Sequence, residues 1–226
     1  MVLKKIAARN TFTPQVHEEL RSAIIQGKIP HGTRLVESRI AEQMGVSRTP
    51  VREALSRLVA QGFVKERDGF RVVADMSVEL HEIFSVRKAL EGHAAALAAE
   101  QATDEELGEL ERICNTSLEA LNSNSTKKRA ALNSEFHYSI AKAAHNHRLL
   151  SLIKECYEYA ITEEILPFYH KQDTADHLQQ HLDIMRTLNS RDPVQAELAM
   201  KHHLTSVERV IAQAVEQISG RGQGTK

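Results

Sequence analysis

The chain has 226 residues, 42% of them hydrophobic and 26% charged, which suits two modest folded domains and excludes a disordered chain. Its formal net charge of −1 conceals a division: residues 1–75 carry 13 Lys+Arg against 8 Asp+Glu, whereas residues 76–226 carry 16 against 22, so only the first part is suited to a polyanion. No apolar run approaches the ~18 residues needed to span a bilayer, and Met1-Val-Leu-Lys-Lys-Ile lacks the apolar centre of a signal peptide, so the expected location is the cytoplasm, with no membrane partner.

Residues 1–12 are expected to form an arm. Thr13 is placed to cap a helix with Pro14 at its first position, and Val16, Leu20, Ala23 and Ile24 give that helix an apolar stripe as far as Gly27. The turn Lys28-Ile-Pro-His-Gly32 leads to a short helix over about 37–44, closed by Gly45. Ser47 caps a third helix, in which Val51, Ala54, Leu55, Leu58 and Val59 form the buried stripe. The runs 63–66 and 70–74, separated by Arg67-Asp68-Gly69, read as a two-stranded hairpin. Three short helices and a basic hairpin over 13–75 describe a winged helix-turn-helix.

Past Met76 the strand signals stop and three-and-four spacing takes over. About six helices are expected, over 77–101, 104–121, 127–145, 148–165, 174–190 and 193–218, with a capping box at Thr103 and Glu106. The fold class is thus mainly α: a winged helix-turn-helix followed by an all-helical bundle over 76–219. Residues 220–226, Gly220-Arg-Gly-Gln-Gly-Thr-Lys226, read as a flexible tail. Cys114 and Cys156 match no pair or cluster spacing and are expected to be reduced.

On the third helix Arg48, Thr49, Arg52 and Ser56 fall opposite the buried stripe. Two guanidinium groups one turn apart can each donate two hydrogen bonds to guanine O6 and N7 in a major groove, and Ser47 with the free N–H groups of the helix start suits a phosphate. The alternative is that Arg52 pairs with Glu37 or Glu53 and Arg48 is solvated; the tight turn and the following basic hairpin favour DNA. The run Leu35-Val-Glu-Ser-Arg-Ile-Ala-Glu-Gln-Met-Gly-Val-Ser-Arg-Thr-Pro-Val-Arg-Glu-Ala-Leu-Ser-Arg-Leu58, followed by Gln61-Gly-Phe-Val64, resembles the winged helix-turn-helix signature of the GntR superfamily. That resemblance implies that Arg48 and Arg52 read or clamp a double-stranded operator, that Ser47 and Thr49 touch its backbone, and that the Gly69 tip follows the minor groove. Ser38, Arg39 and Arg67 complete the expected DNA-facing set. Some relatives place an arginine directly after the glutamate of the second helix, where this chain has Ser38 and then Arg39. A homodimer on an inverted repeat is the expected assembly.

The second part places histidines on stripes that should be apolar. Leu178, His181, Met185 and Leu188 share one helix face; Ala196, Met200, His203, Val207 and Val210 share another, from which His202 points away. His181 lies 11 residues before Asp192 and His203 lies 11 after it, so an antiparallel pair turning there puts both about 16 Å from the turn and level with each other. Asn133 and His137, one turn apart, flank the face made by Leu132, Phe136, Ile140 and Ala143. Three imidazoles and an amide oxygen would suit a divalent metal, while the simpler reading is three separately hydrogen-bonded core histidines.

The pattern Asn133-Ser-Glu-Phe-His137, then His181, Asp192 and His203, with Arg87-Lys-Ala-Leu-Glu91 at the start of the domain, resembles the ligand-binding domain of the FadR branch, often called FCD. The resemblance implies a metal held by Asn133, His137, His181 and His203, with zinc expected first and nickel or manganese as alternatives. It also implies a carboxylate-bearing small organic acid as effector, beside the ion. Many relatives have aspartate where this chain has Asn133, a neutral oxygen. Arg87 is the candidate partner of the effector carboxylate, its alternative being an i,i+4 pair with Glu91; His177, one turn before His181, can serve or orient a ligand. The chain as a whole then reads as a DNA-binding transcriptional repressor rather than an enzyme. A three-histidine metal-dependent hydrolase is the rival, set aside because no H-E-x-x-H run, nucleophile elbow or phosphate loop is present.

Overall fold

In the computed structural model, which describes residues 12–121, 125–158 and 170–222, helix α1 (Thr13–Ile25) carries Pro14 in its first turn, where a missing N–H costs nothing. Thr13 is not the cap. Phe12 holds that position, and the buried Thr13 donates from Oγ1 to Glu53 Oε2 at 2.7 Å. A charge-assisted bond is stronger than the capping bond the hydroxyl would otherwise make.

Helix α2 (Glu37–Met44) ends on Gly45 at φ 65, a left-handed conformation that glycine adopts freely. Helix α3 (Arg48–Ala60) buries Val51, Ala54, Leu55 and Leu58 completely, partly against α1. The wing has three strands rather than the expected two: β1 (Arg34–Leu35), β2 (Val64–Arg67) and β3 (Phe70–Val73), antiparallel in the order β1-β3-β2. Arg67 pairs with Phe70, so the hairpin closes through Asp68 and Gly69 alone, at φ 51 and 76. Positive φ at both central residues matches the right-handed twist of the strands and explains the Asp-Gly sequence.

The chain divides into two compact units, one reaching Asp75 and the other running from Met76 to Arg221. The second holds six helices among the described residues: α4 (Met76–Gln101), α5 (Asp104–Ala120), α6 (Thr126–Ala143), α7 (His147–Glu158), α8 (Lys171–Asn189) and α9 (Pro193–Gly222). The expected end of α7 falls at 165, outside the described residues. Helix α8 starts three residues earlier than the periodicity suggests, because Asp173 Oδ2 accepts from the His170 N–H at 3.1 Å and secures an additional turn. Helix α9 continues through Gly220 to Gly222, so those residues are not the start of a tail; 223–226 lie outside the described residues, as does the arm over 1–11.

Alanines 94, 95, 98 and 99 are buried along α4, where small side chains allow close helix packing. The capping box at α5 is formed: Glu106 N–H donates to Thr103 Oγ1 at 3.2 Å and Thr103 N–H donates to Glu106 Oε2 at 3.0 Å. Arg191, at φ 56 beyond the end of α8, donates to the Ala102 carbonyl that follows α4 and to Asp104 Oδ1 at 2.9 Å. It thereby joins the α8–α9 turn to the α4–α5 turn. Cys114 on α5 and Cys156 on α7 are buried and unpaired, and burial pushes the Cys114 thiol up to about 12.

Candidate functional site

The helix-turn-helix presents a cationic groove lined by Arg34, Ser38, Arg48, Arg52, Gly69 and Phe70 among others. Arg39, Ser47, Thr49 and Arg67 are exposed but lie outside that lining. Ser47 occupies the N-cap position of α3 without a side-chain capping bond. The alternative pairing noted for Arg52 is present: Arg52 Nε and Nη2 donate to Glu37 at 3.2 and 3.1 Å, and Arg48 Nη2 donates to the same carboxylate at 3.3 Å. The hydrogen bond from Arg52 is the main reason the Glu37 carboxyl is held below the usual range. Both arginine side chains remain about 60% exposed, so these pairs are cheap to exchange for bases. Arg71, on β3, also reaches Glu37 at 3.4 Å and donates to Ser56 Oγ at 3.1 Å. The sequence reading missed Arg71, since a hairpin whose register is unknown does not say which of its arginines face α3.

The second site is built by α4, α6, α8 and α9. His137, His181 and His203 are all buried, and one ring nitrogen from each falls within a span of 4.8 Å. Nε2 of His181 lies 3.1 Å from Nε2 of His203, which lies 3.3 Å from Nε2 of His137. The His181 ring is stacked on Phe136, with centroids 4.2 Å apart, which fixes its plane. Asn133 lines the same cavity one turn before His137, and His202 is exposed on the far side of α9. Buried His177 also lines the cavity but stays outside the trio, with Nε2 3.5 Å from Ser206 Oγ.

The outer ring nitrogens are held by groups that sequence spacing did not reveal. Glu91 Oε2 lies 2.7 Å from Nδ1 of His137, and Gln180 Oε1 lies 3.0 Å from Nδ1 of His203. At His203 an oxygen acceptor on Nδ1 favours the tautomer with its proton there, which leaves Nε2 as a lone pair. Burial, followed by repulsion from neighbouring rings, holds both His181 and His203 well below the ordinary histidine range, so they are neutral. Neutral nitrogens facing one another at about 3 Å attract a cation, and three imidazoles with an amide oxygen fit zinc, nickel or a similar ion.

Arg87 lines this cavity but is already engaged. Its Nε donates to Glu91 Oε1 at 2.7 Å and its Nη2 to the Tyr157 hydroxyl at 3.0 Å, with the guanidinium 4.7 Å from the Phe84 ring centroid. Burial works against the Glu91 carboxylate, yet the charge of Arg87 and the His137 ring outweigh it and bring its pKa down to about 2. The i,i+4 pair weighed as the alternative for Arg87 is therefore present, completely buried. The cavity measures about 60 Å³.

Residues 82–206 match the FCD domain family, and residues 12–73 match the gntR family of bacterial regulatory proteins. A protein of Paenarthrobacter nicotinovorans named "Probable D-xylose utilization operon transcriptional repressor" is 32% identical over 212 residues, covering 89% of each chain. The Uxu operon transcriptional regulator of Escherichia coli K12 is 29% identical, covering 86% of this chain and 84% of its own. The solved structure of E. coli McbR/YncC superposes with a TM-score of 0.63 at 23% identity, over 91% of this chain and 99% of that one, and shows the fold alone. These families and relatives are transcriptional regulators, and none supports the three-histidine hydrolase. With a gntR helix-turn-helix followed by an FCD domain across most of its length, the chain belongs to the GntR family of transcriptional regulators.

Proposed function

We propose that this protein is a cytoplasmic repressor that binds an inverted-repeat operator as a homodimer and is controlled by a small organic acid held in the FCD cavity beside a divalent ion. The observation that carries the reading is the convergence of three buried imidazole nitrogens on the wall of a small, partly polar cavity. Asn133, His137, His181 and His203 would hold the ion, zinc first and nickel or manganese as alternatives, and the ion would supply a positive charge for a carboxylate in a water-poor site. Gln180 favours the ligating tautomer of His203, Glu91 packs its carboxylate against the His137 ring, and Phe136 holds the His181 ring in plane.

On the DNA side Arg48 and Arg52 exchange Glu37 for base edges; Ser38, Arg39, Ser47 and Thr49 add backbone contacts, and Arg67 and Gly69 carry the wing tip. Repression is favoured because the Paenarthrobacter relative carries that word in its name. An effector changes operator affinity only if it binds two conformations unequally. The test is fluorescence anisotropy of the zinc-loaded protein on operator DNA while short carboxylic acids are titrated in. An operator affinity that no acid alters, at concentrations saturating the cavity, would remove the effector from this reading.

A further inference from the structure

Along α6, Arg129, Asn133 and His137 recur every four residues and all three line the cavity; along α8, Thr174, His177 and His181 do the same at spacings of three and four. Each helix thus carries a polar ladder from the histidine centre toward its own N-terminus. Arg129 and Thr174 form the far rungs. The wall between the two ends includes Leu132, Leu178 and Val207, which offers methylene groups a better surface than hydroxyls.

Two guanidinium groups line this cavity among the described residues, and they are not equivalent. Arg87 is tied through Glu91 to the His137 ring, so it stands beside the histidine end of the cavity and not away from it. Arg129 is half-buried on the first turns of α6 and lines the cavity two helical turns before His137. Eight residues at 1.5 Å each separate the two by roughly 12 Å along the helix. Subtracting the reach of a guanidinium at one end and an ion at the other leaves room for roughly four or five carbons. A cavity of about 60 Å³ holds on the order of five waters, which is on the scale of a molecule of that length.

Building on the proposed ion site, we infer that the effector is a short dicarboxylate: one carboxylate is held at the histidine centre, the other by Arg129, and the methylenes lie against Leu132, Leu178 and Val207. Arg129, and not Arg87, is the residue that selects a second acidic group. Its planar fork accepts a carboxylate in two parallel hydrogen bonds, and partial burial strengthens them.

The experiment is calorimetric titration of full-length protein, with zinc content fixed beforehand by elemental analysis, using butyrate, succinate and glutarate. Succinate or glutarate should bind at least about tenfold more tightly than butyrate. Arg129→Gln should erase that preference while leaving zinc content and butyrate affinity unchanged, and Arg129→Lys, which keeps the charge but loses the fork, should retain part of it. Equal affinity for mono- and dicarboxylates in the wild type overturns the role of Arg129 and leaves the ion site standing. A preference that survives Arg129→Gln does the same. Protein that takes up no zinc overturns the ion site, and the two-headed ligand with it.

Discussion

Glu91 Oε2 lies 2.7 Å from Nδ1 of His137, and both side chains are almost completely buried. The same carboxylate neutralises Arg87, so one residue packs against a ring of the proposed ion site and a buried cation together. Glu91→Gln keeps the shape and removes the charge. Zinc affinity should fall about 10- to 100-fold, as expected when the partner of a ligating histidine is lost. Stability should fall by about 3–5 kcal/mol, because Arg87 is left as an uncompensated buried charge. Competition against a chromophoric chelator reads the first effect and denaturant melts the second. Unchanged zinc affinity would mean that packing alone orients His137.

If the three imidazoles share one ion, His137→Ala, His181→Ala and His203→Ala should each abolish the rise in melting temperature produced by zinc, whereas His202→Ala, on the exposed side of α9, should leave it intact. Asn133→Asp separates a ligand from a bystander. It should tighten zinc binding if the side chain reaches the ion, and only destabilise the fold if it does not. Melting curves of all five variants with and without zinc, together with elemental analysis of protein purified without chelator, check this.

The metal-free protein should lose stability on mild acidification. His181 and His203 are held well below 6.5 in the folded chain, chiefly by burial, and buried His177 is also lowered. In the unfolded chain these rings take up protons near 6.5, so below that pH the unfolded state binds more protons than the native one. Their contribution is complete above about 6.5 and declines as the pH falls. Glu91, brought down to about 2 from 4.5, contributes a similar loss only below about 4.5. Between those limits the histidines dominate, and His181→Asn should flatten part of the slope. A melting temperature independent of pH across that window, measured after chelator treatment, would show that the rings protonate as readily folded as unfolded.

On the DNA side, Arg52→Ala should cost about 1–3 kcal/mol on the operator and relax discrimination at one base pair per half-site. Glu37→Gln should act in the opposite sense on affinity. It removes an anion from the cationic groove and releases Arg48 and Arg52, so binding to unrelated duplex should strengthen while the ratio of specific to unspecific affinity falls. Anisotropy on operator and scrambled duplexes at several salt concentrations measures both. Identical salt dependence and selectivity in Glu37→Gln and wild type would exclude Glu37 from any such control.

The sequence by itself shows what local geometry determines. The level placement of His181 and His203 follows from helical rise counted out from one short turn, and the capping box of Thr103 and Glu106 follows from residue types three apart. Glu91 and Gln180 were not recognisable as partners of histidines, because which side of α4 or α8 meets a given ring is decided by packing between helices distant in sequence. Two-residue β1 is too short to show alternation. Thr13 has the sequence of a cap, while its carboxylate partner, Glu53, lies 40 residues away. The exposed face of α3 was legible from its buried stripe, but the sharing of Glu37 by Arg48, Arg52 and Arg71 depends on how α2 and the wing are placed around it.

The bond from Arg191 to the Ala102 carbonyl and Asp104 has a consequence for ligand traffic. The cavity-lining residues on α8 run from Thr174 to His181 and those on α9 from His203 to Val207, so the cavity extends from the histidines away from the turn that Arg191 secures. One end of the bundle is pinned by that bond, and the cavity lies toward the other. An acid bound as proposed would then pass the N-terminal turns of α6 and α8, and amide protons around residues 187–192 should exchange with solvent more slowly than those of these two turns.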